Sequence, residues 1–411
     1  MTSRERILAA IDGRDADHVP LTTWCFGFPA PPELRWRTEG REIPFWYSLR
    51  LEHLHTLPHP WTIEDECRRA SAWLSLGMDD VLDVSVPWGR HPDVKWTDTV
   101  IPPGGPGGDP RYPVLVREYR TPDGPLRHAV RKTEPETAGW PGQPNHVPLI
   151  EDYNIPRAVR HVVSTPSDVP AIRHVFGPPT AAQMAAFARQ VSALGAFADE
   201  KGVALQAWTA FGMDAAVWFC GTEGAIMMAM DAPEAFGRLM DIIFEADYAR
   251  TELAVTTRGV DIVCQRGWYS STDFWSPDLF ERYVFPHLSE LAALVHGHRR
   301  KLGYVMTTGL ATFGERLADA GVDVLYFADP VQDRLPLDTA RRLAQRMTVV
   351  GGTNALSLAS GDPHRIRNEV RRAMEALGPT RRFILHPVDA IFPDTPWAGV
   401  QTMIEAWKEC R

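Results

Sequence analysis

The sequence predicts an α/β fold: a (β/α)8 TIM barrel with an N-terminal helical extension and an inserted β-hairpin. Three observations carry that prediction. From about residue 172 onward, short apolar runs alternate with longer segments of helical periodicity. At least five such pairs follow one another through short loops, which calls for parallel strands and favours a closed barrel over an open sheet. The chain is 411 residues long with 44% hydrophobic residues, enough for one large core, and barrels are the usual exception to splitting a chain of this length into domains. Residues 1–411 are therefore read as one domain, with about 100–150 forming a loop and hairpin insertion.

The elements follow in order. The opening MTSRERILAAIDG is an amphipathic helix. VPLTTWCFG (19–27) and DDVLDVSVP (79–87) look like the first two barrel strands, and between them Thr62 caps a helix with Asp65 and Glu66 in its first turn. IPPGGPGGDPRYP is a loop, and the segment near 112–135 reads as a hairpin turning at Pro122-Asp123-Gly124. Met184, Phe187, Val191, Leu194 and Phe197 make a helical stripe within 180–199. A buried strand follows at 203–211, a helix from about Pro233 to Thr256, and a strand at 259–267. Ser276 caps and Pro277 opens a helix whose stripe is Phe280, Val284, Leu288, Leu291 and Val295. Strands at 302–306, 322–327, 347–351 and 382–386 then alternate with helices at 312–320, 336–346, 363–377 and after Thr395-Pro396.

Composition excludes several classes. The formal charge of −9 is spread along the chain, without the basic stripe that nucleic acid requires or a polybasic membrane patch. No run of about 18 apolar residues occurs and the first helix carries charges, so neither a membrane span nor a signal peptide is expected. Cys25, Cys67, Cys220, Cys264 and Cys410 are odd in number and far apart, which fits reduced thiols and a cytoplasmic location. The 14 tryptophans exceed what packing usually takes, so some are expected to line a ligand pocket.

Several segments together resemble the superfamily of uroporphyrinogen decarboxylases and corrinoid methyltransferases. They are RERILAAIDGRDADHVP, REYRTPDGPLRHAVRK, GVDIVCQRGWYSSTDFWSPDLFERYVFPHL, ADAGVDVLYF, VVGGTNALSL and RFILHPVDAIFPDTPWAGVQTMIEAW. The hairpin segment is similar to that of the methyltransferase-like branch. The resemblance implies an active site at the C-terminal mouth of the barrel and a homodimer. Two departures stand out. The arginine-rich element that grips porphyrinogen carboxylates is replaced by TTWCFGFPAPPE. The zinc ligands of the thiol-directed methyltransferases correspond to Met306, Thr308 and Asp389, of which Met and Thr are poor ligands for zinc. No zinc is therefore expected.

The candidate catalytic residues are Asp389 and His386, just past the last strand, as a proton-handling pair, and Arg266 as a clamp for a carboxylate or phosphate. Against these stand plainer roles: His386 capping a strand end, Asp389 binding local backbone, and Arg266 pairing with a loop aspartate such as Asp273. Trp24, Trp208, Trp268, Met306, Thr308, Tyr326, Asp329 and Asn354, all near strand ends, are candidates for substrate binding, with Trp208 read more readily as core. Of Asp79, Asp80 and Asp83, the resemblance implies one near the second strand as a substrate anchor. His53, His55 and His59 fit no common zinc spacing and read as solvated loop histidines.

The leading expectation is methyl transfer between a small methylated or methoxylated substrate, a corrinoid and tetrahydrofolate, without zinc. The corrinoid would arrive on a separate protein, since the chain has no DxHxxG-type binding motif. The alternative is a decarboxylase of a small aromatic or heterocyclic acid. A third reading is a barrel without activity that only binds a ligand or partner.

Overall fold

The computed structural model describes residues 1–48, 60–133 and 142–411. Seven strands form its central sheet: β1 (Val81–Ser85), β2 (Ala204–Ala210), β3 (Ile262–Gln265), β4 (Lys301–Val305), β5 (Val324–Ala328), β6 (Thr348–Asn354) and β7 (Phe383–Val388). Each strand lies beside its neighbour in sequence, and every pairing is parallel. Every residue of β2, β6 and β7 is buried, the mark of a sheet covered on both faces.

The sheet curls into a TIM-barrel-like fold. The expected first strand is reduced to isolated bridges, Leu21 to Leu385 and Cys25 to Ile391. It still reaches both sheet edges: Thr22 N–H donates to the Leu385 carbonyl at 3.0 Å and Asp79 N–H to the Leu21 carbonyl at 2.9 Å. Pro20 has no N–H to give, and beyond Trp24 the hydrogen bonds move from β7 to Ile391 past its end, so no regular ladder forms.

The helix Ser3–Asp12, closed by a capping box between Thr2 and Glu5, seals one end. Its Ile7, Ala10 and Ile11 join the barrel interior with Ile262, Val305, Val324 and Val350. Its polar contacts fall at strand starts: Arg4 to Asp261 at 2.7 Å, Arg6 to Asp79, and the Thr348 hydroxyl to the Ala10 carbonyl at 2.9 Å. The C-terminal mouth is thus left for a site.

Helices Pro233–Thr256 and Pro363–Leu377 lie where their periodicity places them. The stripe beginning at Phe280 is split into Pro277–Tyr283 and Phe285–Gly297, because Pro286 cannot donate to the preceding turn. Two helices not foreseen, Met213–Cys220 and Thr222–Asp231, are separated by Gly221. Its φ is +73° and a Cβ there would lie 2.2 Å from His161 Nε2, so only glycine fits.

The hairpin forms from Val114–Thr121 and Gly124–Arg131, turning at Pro122-Asp123. Lys95–Ile101 and Ala158–Arg160 extend it to a four-stranded antiparallel sheet. Lys95–Ile101 is almost wholly exposed and so carries no alternation to read. The helix Ile63–Ser75 begins at the Thr62 capping box, and its Glu66 is buried with Arg69 and Asp80. His53, His55 and His59 lie outside the described residues. Among the described residues, no helix is long and apolar enough to cross a membrane.

Candidate active site

The mouth is floored by aromatic rings. Trp24 stacks on Tyr326 at 5.1 Å and meets Phe327, Trp208 and His386 edge-on at 4.6, 5.5 and 5.5 Å. Trp208 stacks on Trp268 at 6.0 Å. Their polar atoms form a chain below the rings: Tyr326 OH donates to Gln206 Oε1 at 2.8 Å, and Gln206 Nε2 and Trp208 Nε1 donate to Asp83 Oδ1 at 3.1 and 2.8 Å. Buried polar groups joined this way fix the rings, because breaking any link strands a partner away from water. Of the three aspartates near β1, Asp83 belongs to this interior, whereas Asp79 and Asp80 pair with Arg6 and Arg69.

Above the floor opens a cavity of about 450 Å³, within the range for small-molecule sites. Arg266 and Trp268 follow β3, Thr307 and Thr308 follow β4, and Asp389, Ala390 and Phe392 follow β7. Phe26 completes this side, while Glu151, Asp152 and Tyr153 come from the segment before Asn154–Arg157. Trp268 Nε1 donates to Asp389 Oδ2 at 3.0 Å. The Thr308 hydroxyl donates to Asp273 Oδ2 at 2.5 Å.

Arg266 is 4% exposed. Its guanidinium lies 4.5 Å from the Trp268 ring centre and 4.8 Å from that of Trp218. Its Nε donates to Asp214 Oδ2 at 3.3 Å, and Nη2 lies 3.8 Å from Asp152. The plain reading of Arg266 as an ion pair therefore holds with Asp214 in place of Asp273. Burial pushes the Asp214 carboxyl up to about 7, opposed by the charge of Arg266 and the Tyr269 N–H. Asp152 accepts from Trp218 Nε1 at 2.7 Å and Tyr269 OH at 3.1 Å.

The structure brings Asp389, Arg266, Trp268 and Thr308 onto one cavity wall. It sets the other candidates behind that wall. His386 is fully buried, with Nδ1 3.0 Å from the Thr22 hydroxyl and Nε2 3.2 Å from the Asp389 carbonyl. It thus contacts the Asp389 backbone, and its ring lies against Phe327 at 4.9 Å. Met306 is core. Asp329 accepts both Asn354 Nδ2 contacts at 3.0 Å and the Val331 N–H, and Asn354 caps the next helix, so both anchor loops. Trp24, Trp208 and Tyr326 serve as floor. Sequence reasoning missed Asp214, Asp152, Glu151, Tyr269, Phe26 and Phe392. Asp214 had a signal: it is the lone charge in the apolar run FGMDAAVWFC.

Two of the positions that the resemblance matches to zinc ligands have other contacts. Met306 points into the core and Thr308 is committed to Asp273. Among the described residues, no three His, Cys, Asp or Glu side chains are grouped to hold a metal ion.

A methyltransferase from Methanosarcina mazei matches the fold along 100% of this chain and 99% of its own, with a TM-score of 0.56 and 16% identity. A 3-keto-D-glucoside 4-epimerase from E. coli covers 55% of this chain and 85% of its own at 12% identity, with a TM-score of only 0.34. D-Psicose 3-epimerase from Clostridium cellulolyticum H10 covers 55% and 83% at 10% identity, with a TM-score of 0.33. No curated protein matches the sequence. The family profile of uroporphyrinogen decarboxylase (URO-D) matches residues 156–410, from the edge of the hairpin sheet through the last helix, and the chain belongs to that family.

Proposed function

We propose that this chain is a methyltransferase that moves a methyl group from a small methylated or methoxylated molecule to an acceptor without zinc. The observation that carries the reading is the charge of the cavity wall. Among the described residues it has one cation, Arg266, against Glu151, Asp152, Asp273 and Asp389. A porphyrinogen with eight carboxylates would be repelled there, whereas a methylated amine or ether suits a wall of carboxylates and aromatic rings. The full-length likeness to a methyltransferase fold adds support.

In this reading Trp268 holds Asp389 toward the reacting atom, where the carboxylate takes or returns a proton or faces a charged nitrogen. The floor of Trp24, Trp208 and Tyr326 keeps water from below. The acceptor is a corrinoid on a partner protein, or tetrahydrofolate. A cavity of about 450 Å³ is too small to enclose a corrin macrocycle, which would meet the substrate at the rim. The alternative, decarboxylation of a small aromatic or heterocyclic acid, draws on Arg266 as carboxylate clamp. Incubating the protein with methylated amines and aryl methyl ethers, a reduced corrinoid and, separately, tetrahydrofolate decides between them. Methyl loss from the donor supports transfer, and CO2 release from an acid without methyl loss overturns it.

A further inference from the structure

The one cation that the described residues give the cavity wall is incompletely used. Arg266 engages Asp214 through Nε and approaches Asp152 through Nη2, but its buried Nη1 has no hydrogen-bond partner among the described residues. A buried N–H left unmade costs about 1–3 kcal/mol, and more on a charged group; Nη1 is itself shielded from solvent, so a ligand in the cavity that Arg266 lines gains that much when the guanidinium turns this edge toward it. The planar edge of a guanidinium matches a carboxylate. Two competitors for it are weakened. Asp152 keeps its Oδ2 3.8 Å from Nη2, beyond hydrogen-bond reach, with Oδ1 taken by Trp218 and Tyr269, and burial raises the Asp214 carboxyl, which weakens its hold on the guanidinium.

The rest of the wall asks for the opposite charge. Trp268 ties the two together: its ring lies under the Arg266 guanidinium at 4.5 Å and its Nε1 donates to Asp389 at 3.0 Å. Asp389 therefore stands one indole away from the cation, and Phe26, Phe274 and Phe392 line the same cavity. Aromatic faces and carboxylates attract a methylated ammonium. A purely anionic ligand would meet an excess of carboxylates, and a purely cationic one would leave Arg266 Nη1 unpaired.

We infer that the cavity takes a small zwitterion, with its carboxylate on Arg266 and a methylated ammonium against the aromatic rings and Asp389. The inference rests on the methyl-transfer reading and names its substrate class. The methyl leaves as a cation equivalent and is bonded by an electron pair of the acceptor, a reduced corrinoid or tetrahydrofolate, and in the latter case the displaced amine proton passes to Asp389. The electrons of the broken C–N bond stay on nitrogen, which becomes a neutral amine.

Calorimetric titration of the whole protein tests it. The probes are trimethylglycine, 4-(trimethylammonio)butanoate and N-methylpyridinium-3-carboxylate, each beside an analogue lacking the carboxylate and a neutral carbon isostere. At least one zwitterion should bind, and both of its analogues should bind tenfold or more weakly. Arg266→Lys keeps the charge beside Asp214 and so protects the fold, yet it should weaken the zwitterion tenfold and leave the analogue without a carboxylate unchanged. Binding of no zwitterion, equal binding of an analogue, or wild-type affinity in Arg266→Lys overturns the inference. Methyl loss is followed by NMR in the same samples with acceptor added. A zwitterion that binds and keeps its methyl groups refutes methyl transfer but not the ligand class. Methyl loss from an analogue lacking the carboxylate, with no zwitterion bound, refutes the ligand class alone.

Discussion

Asp214→Asn should change how stability depends on pH. The carboxyl is fully buried, accepts the Tyr269 N–H at 2.9 Å and pairs with Arg266 at 3.3 Å. Burial raises it from 3.8 to about 7. Between those values the folded chain holds a proton that the unfolded chain has lost. Its contribution is therefore complete below about pH 4 and falls as pH rises, by a factor of about ten in the folding constant per pH unit, until about pH 7. From pH 5 to 7 that amounts to about 2 kcal/mol, against total stabilities of about 5–15 kcal/mol. Asparagine has nearly the same shape and no titrating proton, so the advantage of wild type over the variant should shrink by that amount over the same window. Asp80 and Asp247 are raised by burial to about 7 and about 6, but both are present in both proteins and cancel. Urea unfolding followed by tryptophan fluorescence at pH 5, 6, 7 and 8 measures the difference. A gap that is constant, or that widens toward pH 7, would refute the reasoning: Asp214 would then be ionised throughout and held so by Arg266.

Three further outcomes are expected. Asp389→Asn keeps an oxygen for Trp268 Nε1 and should lower turnover by about 100-fold or more with an unchanged melting temperature; a large loss of stability with full activity in the folded fraction would make it a loop anchor. Trp208→Phe removes a donor to Asp83 Oδ1 and should cost about 1–3 kcal/mol in denaturant titrations, whereas no change would mean the interior chain does not fix the floor. Purified protein should hold far less than one zinc per chain by elemental analysis, with activity unaffected by chelators; stoichiometric zinc bound through Asp389 would show that the site was misread.

The sequence alone determined the alternation of strands and helices from residue 172 onward, because a buried strand or an amphipathic helix writes its period into local residues. Pro233–Thr256 and Pro363–Leu377 were readable for that reason, as was the hairpin turn, read at Pro122-Asp123-Gly124 and formed at Pro122-Asp123. It also marked Asp389, Arg266, Trp268 and Thr308, since loops after barrel strands must face the mouth. Elements whose hydrogen bonds are non-local were hidden. The first barrel position survives as two bridges whose partners, Leu385 and Ile391, lie more than 360 residues away. The exposed strand Lys95–Ile101 owes its hydrogen bonding to its pairing with Val114–Thr121. Tertiary structure also decided which mouth residues line the cavity and which lie behind it. His386 and Asp389 are three positions apart, yet one is enclosed by Thr22 and Phe327 and the other reaches the wall. Only the folded chain gave Arg266 its partner, because Asp214 lies in the first turn of Met213–Cys220, 52 residues earlier, and burial, which no local pattern encodes, raises its carboxyl.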